Sequence, residues 1–156
     1  MRLSAPDHRT AAFLFIVRLA KTAMPHRLGL RVYYEDTDFS GLVYHASYLR
    51  FMERGRTEFL RDFGIDQRAL FLGELALGFA VRHMAISFDR PAMMDDLLTI
   101  ETQLVKLHGA SLDIEQKVLR AEELLVTATV KIACLSAGRA QRLPMHLRRR
   151  FEDGAR

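Results

Sequence analysis

An antiparallel sheet of about five strands wrapped around one long central helix, an α+β fold, is what this sequence predicts. Three observations carry that expectation. A single stretch between His45 and Phe63 repeats its apolar residues at helical spacing. Four later runs repeat theirs at every second position. The breaks between the last three runs are only a few residues long, which favours hairpins and an antiparallel meander. A lone helix with a wide apolar face needs a sheet to cover it, and 156 residues suit one such domain.

Leu28–Tyr34 is a short alternating, aromatic-rich run and reads as the first strand. Glu35–Gly41, dense in acidic residues, Ser and Gly, reads as a loop. In the helix that follows, Tyr48, Met52, Gly55, Phe59 and Phe63 share one face with Leu49 and Leu60 beside them, while Arg50, Glu53, Arg54, Glu58, Arg61 and Asp62 take the rest of the circumference. Gly64 is a C-terminal stop. Gly55 weakens the helix interior by about 1 kcal/mol relative to Ala, so close backbone packing is its expected reason. Asp66–Gly78 reads as a short helix and loop. Phe79–Phe88 then alternates, with Ala80, Met84, Ile86 and Phe88 on one face. Leu98, Ile100 and Leu104 follow, then Leu112, Ile114 and Val118, then Leu124, Val126, Ala128, Val130, Ile132 and Cys134, with turns near His108–Gly109 and Arg120–Glu123.

Composition narrows the class. Hydrophobic residues make up 49% and charged residues 27%, the balance of a globular protein. A single cysteine, Cys134, excludes an intrachain disulfide and fits a reducing, cytoplasmic setting. Its place in an apolar alternating run marks it as a core residue rather than a nucleophile. The net charge of +4 is mild and concentrates in the first 31 residues and in Arg139–Arg150. No aromatic residues interleave with those arginines, so a nucleic-acid platform is not expected and a solvated basic tail is. The apolar stretch Ala11–Ala20, broken by Arg18, is too short to span a bilayer and lacks a signal-type cleavage site. Residues 1–26 are therefore read as an extension or an early-assigned start, 27–138 as the domain, and 139–156 as the tail.

The informative segment runs from Arg31 to Arg61. It contains Y-x-D-T-D-x-x-G-x-V-Y-H-x-x-Y, carried by Tyr34, Asp36, Thr37, Asp38, Gly41, Val43, Tyr44, His45 and Tyr48, followed by Glu53, Arg56 and Glu58 in an E-x-x-R-x-E helix. This pattern resembles the YbgC-type branch of the 4-hydroxybenzoyl-CoA thioesterase family, whose fold is the hotdog, over roughly Leu28 to Ala137. The resemblance implies hydrolysis of an acyl-CoA to a free acid and coenzyme A. It implies that Asp38 is the catalytic carboxylate, that the backbone N–H near His45 polarises the carbonyl, and that the side chains of His45 and Tyr34 take part. It also implies edge-to-edge pairing of sheets into dimers or dimers of dimers, a homotetramer, with active sites between subunits, and association with the Tol–Pal envelope system, peripheral to the inner membrane.

The residues suit that chemistry on their own terms. A thioester's leaving thiol, if it behaves like cysteine, has a pKa of about 8.5 and departs without strong protonation. What remains necessary is a base or nucleophile on one side of the carbonyl and positive polarity at its oxygen. Asp38, ionised at neutral pH, supplies the first as base or nucleophile. Gly41 permits close approach of the chain, and the first turn of the helix offers unpaired N–H groups at the positive end of its dipole. Val43 and Tyr44 flank that turn. Asp36 reads as a structural cap, and Glu53, Arg56 and Glu58 as a solvated or interface face. No metal and no separate cofactor are needed; coenzyme A enters as part of the substrate. His83 and His108 lie too far from other ligating residues to suggest a metal site.

For the coenzyme A phosphates, the resemblance points to the hairpin Lys106–Ser111, with Lys106, His108 and Ser111 as contacts. His108 stands where relatives often place an arginine, which leaves the phosphate contact in question; Arg82 and Arg90 are alternative donors. Two other readings remain: a thioesterase acting on acyl-carrier protein, which the mild positive charge would suit, and a non-catalytic acyl-binding module. The combination of Asp38, Gly41 and His45 speaks against an inactive site.

Overall fold

The structure, a computed structural model, describes residues 24–154. Strand β1 (His26–Arg31) leads through a 3₁₀ turn (Tyr34–Asp36) into helix α1 (His45–Asp62), short helix α2 (Gln67–Leu72) and strands β2 (Leu77–Phe88), β3 (Leu97–Leu107), β4 (Ser111–Arg120) and β5 (Glu123–Ser136). A two-residue β6 (Arg139–Ala140) and helix α3 (Met145–Gly154) complete it. The strands form one antiparallel sheet in the order β1-β3-β4-β5-β2, with β6 pairing on β5. This is the expected hotdog arrangement, a sheet curled around one long helix.

Helix α1 buries Tyr48, Phe51, Met52, Gly55, Phe59 and Leu60. Its apolar face is the predicted one with one exchange: Leu49 is exposed, and Phe51 is fully buried instead. Full burial of side chains such as Phe51 and Met52 contributes about 1.5–3 kcal/mol each. Gly55 sits against the sheet so closely that a Cβ would lie 2.7 Å from Ile100 Cγ2. Beside it Gln116, 1% exposed, donates to Met52 O and Thr102 Oγ1 and accepts from Arg56. Helix and sheet thus share a satisfied polar tie inside an apolar core.

The sheet faces follow the period-two reading on β3, β4 and β5, and Cys134 is fully buried, its thiol pKa pushed up by desolvation. Three expectations need correction. Tyr34 does not extend the first strand, which ends at Arg31; it opens the 3₁₀ turn. On β2 a bulge between Val81 and His83 inverts the side-chain parity, so Phe79 packs on the core and Ala80 is exposed. An irregularity at Val118/Leu119 does the same on β5, where Leu125 rather than Leu124 is buried.

The hairpins β3-β4 and β4-β5 are as expected, but β2 pairs with β5 at the opposite side of the sheet from β3. Residues 89–96 therefore cross past the start of α1. Residues 139–154, read as a tail, supply β6 and α3, whose Leu147 and Phe151 enter the core while Arg149 and Arg150 stay exposed. Arg150 donates to Gly64 O, the positive-φ glycine that stops α1. The boundary at 138 is one of composition, not of packing. The readings of the first 23 residues lie outside the described chain.

Candidate active site

Residues 37–43 form a small antiparallel loop lying between the end of the 3₁₀ turn and the start of α1. Thr37 pairs with Val43, and Asp38 N donates to Leu42 O at 2.9 Å. Gly41, at φ +78°, makes the reversal that an L side chain disfavours. The Asp38 carboxylate is at the exposed end of this loop, where it accepts from Ser40 N at 2.8 Å and Ser40 Oγ at 2.5 Å. These bonds favour the anion and hold its pKa below the ordinary aspartate value, the Ser40 hydroxyl contributing most.

Asp36 joins that loop to the helix. Its backbone carbonyl accepts from Tyr44 N at 2.9 Å and from Ser47 Oγ at 3.0 Å, the residues immediately before and within the first turn of α1. Its carboxylate, 3% exposed, accepts from Tyr33 N and lies 3.6 Å from Arg50. The Asp36 side chain does not cap α1 as expected: its carboxylate closes the capping box of the 3₁₀ turn, and only its backbone carbonyl meets the helix. Tyr44, the N-cap of α1, makes no side-chain cap hydrogen bond; Ser47 N turns back to Tyr44 O at 2.8 Å, and no side chain caps the start of the helix that follows the Asp38 loop.

His45 is exposed, its ring packed on Tyr44 with centroids 4.3 Å apart and edge-on to Phe88 at 6.5 Å. Val43 is buried and pairs back to Ala92 O. Tyr34 is 79% exposed, and Phe39, at the tip of the loop, is wholly exposed. Sequence reasoning missed Ser40, and it named Tyr48 only in the motif and on the apolar helix face, without the bond its hydroxyl makes. Ser40 signals itself only as a hydroxyl two residues after an Asp, the spacing of a local side-chain turn. Tyr48 is buried, and its hydroxyl accepts from Ala92 N at 2.8 Å.

The residues expected to meet coenzyme A do not join this group within one chain. Asp38 lies beside the start of β3, through the pairing of Leu42 with Met93. Lys106, His108 and Ser111 lie at or beyond the other end of that strand, about 30 Å away at ~3.3 Å per residue. There His108 Nε2 is 2.7 Å from Asp113, and Arg148 donates to His108 O. Arg82 sits exposed at the β2 bulge. Arg90 is engaged with Glu123 at 2.7 Å. Among the described residues, no cluster of three or more His, Cys, Asp or Glu side chains is arranged to hold a metal.

A curled sheet around one helix, with an acidic loop tied to that helix's uncapped start, defines a hotdog protein of the thioesterase class. The thioesterase-like superfamily model matches residues 32–151, and the chain belongs to that family, on the YbgC-type branch. It is 47% identical over 110 residues to the acyl-CoA thioesterase YbgC of Haemophilus influenzae, covering 70% of this chain and 80% of that one. A probable thioesterase from Bartonella henselae superposes with a TM-score of 0.75 at 52% identity, over 78% of this chain and all of the other. A thioesterase from Thermus thermophilus, solved with coenzyme A and zinc, superposes with a TM-score of 0.74 at 26% identity, over 86% and 97% of the two chains. Among the described residues no helix is long and apolar enough to cross a membrane.

Proposed function

We propose that this protein hydrolyses acyl-CoA thioesters to the free carboxylic acid and coenzyme A, with Asp38 as the reacting carboxylate and the first turn of α1 as the oxyanion hole. The observation that carries the proposal is the double hydrogen bond from Tyr44 N and Ser47 Oγ to the carbonyl of Asp36, two residues before Asp38. It ties the carboxylate-bearing loop to the uncapped helix start, so that both halves of an acyl-transfer site are set by one short segment. The YbgC relatives of Haemophilus influenzae and Escherichia coli are acyl-CoA thioesterases, which supports this reading.

In the reaction, the thioester oxygen lies against the backbone N–H groups near His45, where the helix dipole and the N–H donors stabilise developing negative charge. Asp38, as an ionised carboxylate, either takes a proton from the attacking water or attacks the carbonyl carbon itself. The C–S bond then breaks, and the thiolate leaves without needing a strong acid, taking up the proton afterwards; on the route of direct attack, water next cleaves the acyl anhydride on Asp38, which releases the free acid and restores the carboxylate. His45 and Tyr34, both exposed at the loop, contribute side chains to the same space.

The separation of about 30 Å between Asp38 and the Lys106–Ser111 hairpin makes the second half of the proposal geometric. Strand β2 is an edge strand that runs from the hairpin end of the sheet to the helix-start end. Pairing it antiparallel with the β2 of a second copy brings the partner's hairpin to the end that holds Asp38. Lys106, His108 and Ser111 of one protomer then serve the thioester held by the other, with Arg82 at the seam. Thiol release measured over short, long and aromatic acyl-CoAs tests the activity: turnover of at least one is expected, and no release from any member refutes it.

A further inference from the structure

We infer that Tyr48 is a positioning residue for the reaction: its hydroxyl ties the first turns of α1 to the crossing segment 91–96, and that segment holds the loop carrying Asp38. The inference rests on the functional reading above and goes beyond it, because Tyr48 touches neither the thioester nor the carboxylate.

The path is short and fully specified. Tyr48 lies one turn after His45, on the same helix whose opening N–H groups receive the carbonyl oxygen. Its buried oxygen accepts from Ala92 N at 2.8 Å, while its ring is wedged edge-on against Phe51 and Phe88 at 6.0 and 5.8 Å. The carbonyl of the same residue, Ala92, accepts from Val43 N at 2.8 Å. The next residue, Met93, pairs with Leu42, and Leu42 O accepts from Asp38 N. A single residue, fully buried, therefore has the helix on its N–H side and the Asp38 loop on its C=O side.

The rest of the crossing segment is braced independently. Val32 N donates to Asp96 O and Asp95 N to Val32 O, at 3.0 and 3.1 Å. Asp96 caps Met93 N at 2.9 Å and accepts from Arg120 at 2.8 Å, and Arg120 is itself held by Glu123. Arg31 donates to Asp95 O. With its distal part pinned to β1 and to the β4-β5 turn, the segment is bonded to α1 through the Tyr48 side chain. Removing the hydroxyl frees the helix start to shift relative to the Asp38 loop without touching either reacting group.

The test is Tyr48→Phe, which keeps the ring and deletes one oxygen. Near-attack geometry is sensitive to displacements of an ångström, so kcat should fall roughly ten- to a hundred-fold with KM changed less than about two-fold. Ile114→Val, a buried change in the middle of β4, serves as a stability control that should leave kcat unaltered. Amide hydrogen exchange should quicken at Leu42, Val43 and Met93 in Tyr48→Phe and stay unchanged in the second half of α1. Should Tyr48→Phe fail to accumulate as folded protein, Asp96→Ala loosens the same segment from its other side and should give the same kcat-selective loss. A Tyr48→Phe kcat within about two-fold of the parent, or one matched by Ile114→Val, overturns the inference. If the parent releases no thiol from any acyl-CoA, the functional reading fails by itself, and hydrogen exchange alone decides the tie: unchanged rates at 42, 43 and 93 refute it.

Discussion

Replacing Gly55 by alanine sets two measurable effects against each other. In an exposed helix interior the substitution would stabilise by about 1 kcal/mol, because alanine restricts the unfolded chain and favours the helix. At this position the new methyl carbon would stand 2.7 Å from Ile100 Cγ2, 3.2 Å from Thr102 Oγ1 and 3.3 Å from Gln116 Nε2. Carbon atoms rest about 3.5–4.0 Å apart, so α1 and β3 must separate by the better part of an ångström. The Gln116 bonds to Met52 O and Thr102, which cross the same interface, resist that movement. Overpacking of this kind costs about 1–3 kcal/mol. After the propensity gain, the net expectation is a loss of up to about 2 kcal/mol, or a fall of a few degrees in Tm at ~2–4 °C per kcal/mol. Thermal and urea unfolding followed by circular dichroism measure it. A Tm equal to or above that of the parent would refute the claim that helix and sheet are in closest contact at Gly55.

Further outcomes follow from the site. Ser40→Ala removes the hydroxyl that most favours the Asp38 anion, so the Asp38 pKa rises toward the ordinary aspartate value. A carboxylate with a lowered pKa stays ionised as pH falls until that pKa is crossed, so the acid limb of kcat/KM should move to higher pH in the variant; an unmoved limb excludes Asp38 as its source. Lys106→Ala should raise KM for acyl-CoA with kcat little changed, and a mixture of Lys106→Ala and Asp38→Asn chains should recover activity if sites form between protomers. Light scattering should show a dimer or larger; a fully active monomer refutes the shared site.

Much of the fold was legible because α1 and the β3-β4-β5 meander are local. The spacing from Tyr48 to Phe59 identifies the helix face, the short breaks identify the hairpins, and Gly55 announces close packing. What escaped depends on distant parts of the chain. A period of two does not say which edge a strand joins, so the pairing of β2 with β5 was invisible. The bulge at Arg82 changes parity without any mark in composition. Leu147 and Phe151 stand four apart in a run of arginines, and that charge hid the face that α3 buries. At the site, the motif identified Asp38 and His45 as neighbours in sequence. It could not show that the Lys106–Ser111 hairpin lies at the far end of β3, nor that Asp36 and Tyr48 do the joining.

Asp38→Asn bears most directly on the central claim. Asparagine keeps an oxygen to accept from Ser40, so the loop should hold and only the negative charge should be lost. Thiol release from the best acyl-CoA is expected to drop by at least about two orders of magnitude, while the melting temperature and oligomeric state match the parent. Hydrolysis at an undiminished rate would contradict the assignment, because no carboxylate would then stand opposite the opening turn of α1.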